Sequence, residues 1–285
     1  MAPDIFIEHF STHYQDRWPA LYASLQKPEI QVARLNAWAE GSFNLAQKFE
    51  ALSGCYQWQS EAVLRSENDL LQFYVMDPAS ILAARALDVQ DGDMVLDLCA
   101  APGGKTLILI EALKTAGEIT ANELSAPRRE RLKKVIQQYV PRDIRNRVWV
   151  SGKEGGSFGV SARNRFDRIL VDTPCSGERH LLETPKELSE WTPARSQKLA
   201  QRQYALVTAA LEAAKPGGRI VYSTCSISRF ENEDVIARLL KKKSDRVREV
   251  QPDLEILGEK LEHGQIFLPD QYGFGPIYLC ALEKI

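Results

Sequence analysis

The chain has 285 residues, 44% of them hydrophobic and 26% charged, with a formal net charge of −2. That supports one substantial core plus a small appendage, no apolar run approaches the roughly 18 to 20 residues a bilayer span needs, and a pI near 6.2 argues against a protein that coats nucleic acid through bulk charge. The five cysteines, odd in number and without a CxxC pair, suggest neither a disulfide framework nor a zinc site.

No basic-then-apolar leader opens the sequence, so a soluble intracellular protein with reduced thiols is expected. It would sit in the cytoplasm or, after removal of a transit peptide, in the mitochondrial matrix.

Residues 1–50 read as helical. Apolar positions recur at three and four: Ile5, Phe6 and Phe10, then Trp18, Leu21, Tyr22 and Leu25, then Val32, Leu35 and Trp38, with Pro19 and Pro28 as breaks. A polar stretch around Gln57 to Asn68 leads to the apolar run Leu70–Met76. Asp77-Pro78 then supplies an N-cap and a first-turn proline for a helix over 78–87. Residues 1–76 are therefore expected to form a helical N-terminal cap and linker, and 77–285 the main domain.

From residue 93 short apolar runs alternate with amphipathic ones. Strands are expected at Met94–Cys99, Glu118–Glu123, Arg147–Ser151, Phe166–Asp172 and Gly218–Cys225, with helices at 104–116, 126–139, 195–214 and 229–243. Two further apolar stretches, Gln265–Leu268 and Pro276–Leu282, predict an antiparallel edge hairpin. The pattern is α/β, a seven-stranded, mostly parallel Rossmann-like sheet covered on both faces. Between residues 120 and 150, eight Lys and Arg face three acids, a surface equally suited to solvent and to an RNA backbone.

Ligands of such a sheet bind at the carboxyl ends of its strands. Asp97, Cys99, Glu123, Asp172, Cys175, Thr224 and Cys225 all fall there. The turn Cys99-Ala100-Ala101-Pro102-Gly103-Gly104-Lys105-Thr106 joins a strand to a helix, and its small residues let the backbone approach a ligand. A phosphate-binding P-loop needs Gly where Cys99 stands, and GxGxxG is absent. Glu123, about 20 residues beyond the loop, is placed to accept from both ribose hydroxyls of an adenosyl cofactor. A ribose-binding acid without a pyrophosphate loop points to S-adenosylmethionine rather than NAD.

Cys175 in VDTPCSG and Cys225 in VYSTCS end two predicted strands. C5 of cytosine is a poor nucleophile until a thiolate adds at C6, and the methylated adduct must then lose the C5 proton and expel the thiolate. One sulfur to attack and a second group to help release meet that need. Ser228-x-x-Glu231 predicts a capping box whose helix N-terminus, with Lys105, would favour a thiolate at Cys225.

DLCAAPGGKT, ANE followed by Arg128, VDTPCSG and KPGGRIVYSTCSISRFENE resemble the signature motifs of the NSUN-type (Nol/Nop/Sun) RNA cytosine-5 methyltransferases. The N-terminal Phe10 to Pro19 stretch and GERHLL are similar to the short mitochondrial rRNA and tRNA branches. The resemblance implies Cys225 as the nucleophile and Cys175 as the residue that assists elimination and release. It implies Asp172 at N3 of the base and also at the cofactor's methionine end, Lys105 in the cofactor loop beside the base, Ala100, Ala101, Pro102, Gly103 and Gly104 cradling the methionine moiety, Glu123 on the ribose, and Arg128 orienting Glu123 or contacting the cofactor. Cys99 belongs to the cofactor loop in a structural role. The family places Asp-Gly after the third strand for adenine. Here the segment is Ser151-Gly152-Lys153-Glu154-Gly155, and Glu154 is the nearest match.

The resemblance further implies an RNA substrate, rRNA favoured over tRNA, with its target cytosine unpaired or flipped. The protein is expected to be monomeric on its own. A partner protein or a preassembled ribonucleoprotein would then supply RNA affinity. Two other readings compete: a catalytically idle RNA-binding or assembly subunit, and a cytosine-5 methyltransferase in which Cys175 attacks. A nucleotide-dependent oxidoreductase is disfavoured by the missing GxGxxG.

Overall fold

The computed structural model describes residues 4–41, 47–59 and 62–285. Its strands are β1 (Val32–Leu35), β2 (Cys55–Gln57), β3 (Phe73–Met76), β4 (Met94–Asp97), β5 (Glu118–Asn122), β6 (Val148–Ser151), β7 (Phe166–Asp172), β8 (Ala214–Thr224), β9 (Val247–Val250), β10 (Glu259–Lys260), β11 (Gln265–Phe267) and β12 (Ile277–Lys284). The parallel ladder runs β8-β7-β4-β5-β6, and β12 then pairs antiparallel with β8 and β11. All seven expected strands are present. The short β9 and β10, which the sequence reading did not foresee, pair with β12 and β11 and enlarge the sheet to nine.

Successive residues of a strand point to opposite faces, and the core divides accordingly. Ile169, Val171, Ile220 and Tyr222 join one buried cluster, while Leu170 and Val221 join the other. Long helices cover these faces, among them Gly104–Ala112, Ala126–Tyr139 and Pro193–Ala213. The chain order reverses direction at β4, whose neighbours are β5 on one side and β7 on the other. The carboxyl ends of β4 and β7 therefore border the crevice where such sheets take ligands.

The N-terminal expectation holds in its first half only. Helices form at Asp4–Tyr14 and Trp18–Leu25, and their Phe6, Phe10 and Trp18 pack with Trp191 inside the first cluster. The Phe6–Trp191 and Phe10–Trp18 ring centroids are 5.0 and 5.6 Å apart. Val32 and Leu35, expected on a helix with Trp38, instead lie in β1, the centre of a separate antiparallel sheet with β2 and β3. Three apolar residues at helical spacing are too few to outweigh pairing with Phe73–Met76.

Asp77 caps the helix Pro78–Arg85 as expected, its Oδ1 accepting the N–H groups of Ala79 and Ser80. The expected helix 229–243 is instead a single 3-10 turn, Arg229–Glu231, followed by the helix Glu233–Lys242. The capping box does not form: the buried Ser228 Oγ has no partner, and Glu231 turns into the interior. Among the described residues no helix is long and apolar enough to cross a membrane.

Candidate active site

The loop after β4 is shaped by its glycines. Gly103 has φ +123°, a conformation that L side chains rarely adopt. A Cβ on Gly104 would lie 2.6 Å from the Tyr74 ring, so a side chain there would collide. Behind this loop is a cavity of about 290 Å³ whose wall includes Cys99 to Lys105, Asp97 and Asp172. A second cavity, of about 320 Å³, is bordered by Cys99, Glu123, Arg128, Glu154 and Pro174. Cys99 lines both, so the two cavities adjoin at the start of the loop that follows β4.

Asp97 lies in the wall of the first cavity. It is buried, Thr106 Oγ1 donates to its Oδ2 at 2.7 Å, and its Oδ1 has no protein partner. Burial pushes its pKa up to about 7, partly offset by the Thr106 hydrogen bond. A half-satisfied buried carboxyl on a cavity wall is an acceptor waiting for a donor, and a cationic donor suits it best.

At the second cavity Glu123, 5% exposed, accepts the Ser125 N–H at 2.8 Å and meets Arg128 Nε at 3.5 Å. Arg128 Nη2 also donates to the Ala101 carbonyl at 2.7 Å, which ties the β4 and β5 loops together. Glu154 stands on the rim, where it accepts the Ser157 N–H at 3.1 Å and caps the turn Gly155–Ser157. Asn122 bonds the Leu98 and Lys153 carbonyls and so fixes the loop that carries Glu154.

The two cysteines meet. Cys175 Sγ and Cys225 Sγ are 3.0 Å apart at the ends of neighbouring strands β7 and β8, with Cys225 the more exposed. The hydrogen bond it shares with Cys225, then burial, hold the Cys175 thiol well above its ordinary pKa. Lys105 Nζ stands 2.9 Å from Asp172 Oδ2 and 3.2 Å from Ser80 Oγ, and Ser223 donates to Asp172 Oδ1 at 2.7 Å. Burial opposes the Lys105 charge, but Asp172 outweighs it and Cys225 adds to the effect, so its pKa is raised.

The candidate residues named from the sequence thus lie on one of the two cavities or at the cysteine pair, except Thr224, which is fully buried with its Oγ1 bonded to Asn232. The sequence reading missed what braces that pair. Glu178 and Glu231 are fully buried between the two cysteine loops, bonded to Ser176, Ser226 and Gln203. In sequence each looks like a surface acid. The one available signal was Glu231 three residues after a strand-end serine, which was read as a cap.

A family model described as 16S rRNA methyltransferase RsmB/F matches residues 84–283. The chain is 33% identical to the mouse "5-cytosine rRNA methyltransferase NSUN4" over 97% of this chain and 86% of that protein. It is 40% identical to the Xenopus tropicalis protein of that name, but over 76% and 57% of the two chains, so it spans little more than half of that relative. A zebrafish relative named "tRNA (cytosine(34)-C(5))-methyltransferase, mitochondrial" is 36% identical over 76% of this chain and 62% of its own. Among solved structures, NSun6 from Pyrococcus horikoshii superposes with a TM-score of 0.77 at 18% identity, covering 99% and 98% of the chains. A methyltransferase homologue from the same organism gives 0.80 at 22%, covering 98% and 95%. Both structural likenesses bear on the fold.

Proposed function

Because the chain belongs to the RsmB/F–NSUN family of S-adenosylmethionine-dependent RNA cytosine-5 methyltransferases, we propose that it methylates C5 of a cytosine in ribosomal RNA, with Cys225 as nucleophile and Cys175 as the group that assists release. The observation that carries this reading is the 3.0 Å approach of the two sulfurs beside the Lys105–Asp172 pair.

The residues present fit the cofactor. The unpartnered Asp97 Oδ1 offers an acceptor to the methionine ammonium, and the Ala100–Gly104 backbone is bare enough for close approach. Glu123, held by Arg128 and Ser125, would accept from the ribose hydroxyls, and Glu154, on the same cavity, would face the adenine. Bound S-adenosylmethionine supplies an electrophilic methyl carbon.

The protein's own groups manage the base. Cys225 adds as thiolate to C6 and pushes an electron pair toward C5 and N3. Asp172, fixed by Lys105 and Ser223, is the group assigned to N3 of the base, and the Lys105 cation paired with it offsets the negative charge that addition drives into the ring. After C5 has gained its methyl group its proton passes to bulk water, and the pair from that bond expels Cys225 as a thiolate. Cys175, protonated and beside the departing sulfur, donates a hydrogen bond that steadies the Cys225 thiolate as it leaves.

Ribosomal RNA is favoured by the family description and the mouse relative's name, tRNA by the zebrafish relative's. In this reading residues 1–76 cap the catalytic domain 77–285, and RNA affinity comes from a partner protein or a ribonucleoprotein. The cytoplasm is the expected compartment and the mitochondrial matrix the alternative. The test is methyl transfer to purified small-subunit rRNA and to tRNA, followed by sequencing of the modified base. Modification of rRNA at one cytosine is expected, and modification of tRNA alone would overturn the rRNA assignment. Tight binding of naked target RNA at physiological salt would refute the need for a partner.

A further inference from the structure

The loops that carry Cys175 and Cys225 are joined by buried oxygens whose hydrogens do not add up if both carboxyl groups are ionised. Ser176 Oγ is in very short contact with Glu178 Oε1, 2.5 Å from Glu231 Oε1 and 3.0 Å from Ser226 Oγ. Ser226 Oγ lies 3.1 Å from Glu178 Oε1 and already accepts the Ser228 N–H. The Ser176 hydroxyl has one hydrogen and cannot donate to two carboxylates at once. A single carboxyl proton resolves the count: one acid donates to Ser176 Oγ, and Ser176 donates to the other acid.

The same acids grip both loops through nitrogen donors. Glu231 Oε2 accepts the Ser176 N–H at 3.0 Å and Gln203 Nε2 at 2.8 Å, and Gln203 also holds the Pro174 carbonyl at 3.0 Å. Glu178 Oε2 accepts the Ile227 N–H at 2.9 Å, two residues past Cys225. Each acid therefore anchors the loop of one cysteine to that of the other. We infer that Glu178 and Glu231 act as positioning residues, a carboxyl pair sharing one proton through Ser176 that clasps the two cysteine loops and sets the distance between the sulfurs.

The titratable groups facing the pair are Cys175, Tyr14 and Tyr222, all held neutral beyond their ordinary ranges. No Lys or Arg bonds either carboxyl group among the described residues. Burial, then the charge of Glu231, push Glu178 up to about 7, which agrees with the hydrogen count. An acid whose folded pKa is raised contributes stability at low pH that is lost as pH rises through the folded value. The clasp therefore contributes most below about pH 4.5, and that contribution is lost as pH rises to about 7.

This inference rests on the proposed roles of the two sulfurs, but its test uses neither RNA nor cofactor. Wild type, Glu178→Gln, Glu178→Ala and Ser176→Ala are treated with diamide, which takes up the two thiol hydrogens as the Cys175–Cys225 disulfide forms. At pH 7 Glu178→Ala and Ser176→Ala are expected to slow closure about fivefold or more, as for the loss of a buried hydrogen bond. Glu178→Gln, a neutral amide of the same shape, recovers most of the rate. Melting midpoints from about pH 5.5 to 8.5 should fall for wild type by several degrees more than for Glu178→Gln. Equal closure rates in all four proteins, or parallel midpoint curves for wild type and Glu178→Gln, would overturn the inference. A normal clasp in a protein that methylates no RNA would instead overturn the functional reading alone.

Discussion

Lys105, at the start of the helix Gly104–Ala112, and Asp172, the last residue of β7, form an ion pair of 2.9 Å between the cofactor loop and the cysteine loop. Each side chain is largely withdrawn from solvent, so removing one partner leaves the other buried and unpaired. Lys105 also stands close enough to Cys225 to be stabilised by its charge. The pair therefore touches both halves of the proposed chemistry.

Lys105→Met is expected to lower kcat by about 10²-fold or more, a loss typical of a missing electrostatic stabiliser, with a smaller change in S-adenosylmethionine affinity. Single-turnover kinetics beside calorimetric cofactor binding separate the two effects. A variant with reduced affinity and unchanged kcat would place Lys105 in cofactor binding alone.

Cofactor affinity should rise with pH through neutrality. Asp97 is pushed up to about 7, and its ionised form receives the methionine ammonium better than its neutral form. Titration calorimetry from about pH 5.5 to 8.5 should therefore show tighter binding at the alkaline end, with proton release near pH 7. Asp97→Asn removes both the slope and the proton release. A pH-independent wild type would remove Asp97 from the cofactor contact.

Glu123→Ala should weaken S-adenosylmethionine binding about 10- to 100-fold, the value of one or two hydrogen bonds to a charged acceptor. Arg128→Ala should cost less, because Ser125 still orients the carboxylate. Equal losses would make Arg128 a direct contact.

The N-terminal helices are bound to the main sheet by aromatic packing. Trp191→Ala opens a cavity against Phe6 and Phe10 and is expected to cost about 3–5 kcal/mol, read as a lower denaturant midpoint. The helix Asp4–Tyr14 also reaches the loop after Cys225, where Tyr14 OH donates to the Ile227 carbonyl at 2.8 Å. The midpoint loss should therefore come with reduced methyl transfer. A midpoint unchanged by the substitution would contradict the packing.

Much of this was legible in the chain because local and global signals agree there. The strand Phe166–Asp172 and the helix Ala126–Tyr139 run between the residues their periodicity marks, and the strand ends converge on the candidate residues. Elsewhere tertiary pairing decides. Val32 and Leu35 have helical spacing but pair as a strand, and Val247–Val250 becomes a strand by meeting β12. The buried Glu178 and Glu231 were invisible for a different reason: a carboxyl group reads as solvated until its hydrogen-bond partners, 2 to 55 residues away, are brought to it. Ser228-x-x-Glu231 had the letters of a cap, but Glu231 is used by Ser176 and Gln203 instead.

The most direct measurement is an RNA adduct assay on a denaturing gel with wild type, Cys175→Ala and Cys225→Ala, each incubated with total RNA and S-adenosylmethionine. Cys175→Ala should accumulate a covalent protein–RNA adduct, because the Cys225–C6 bond forms but is not released, and Cys225→Ala should give none. An adduct that accumulates only when Cys225 is removed would mean that Cys175 is the nucleophile and that the roles assigned to the two sulfurs are reversed.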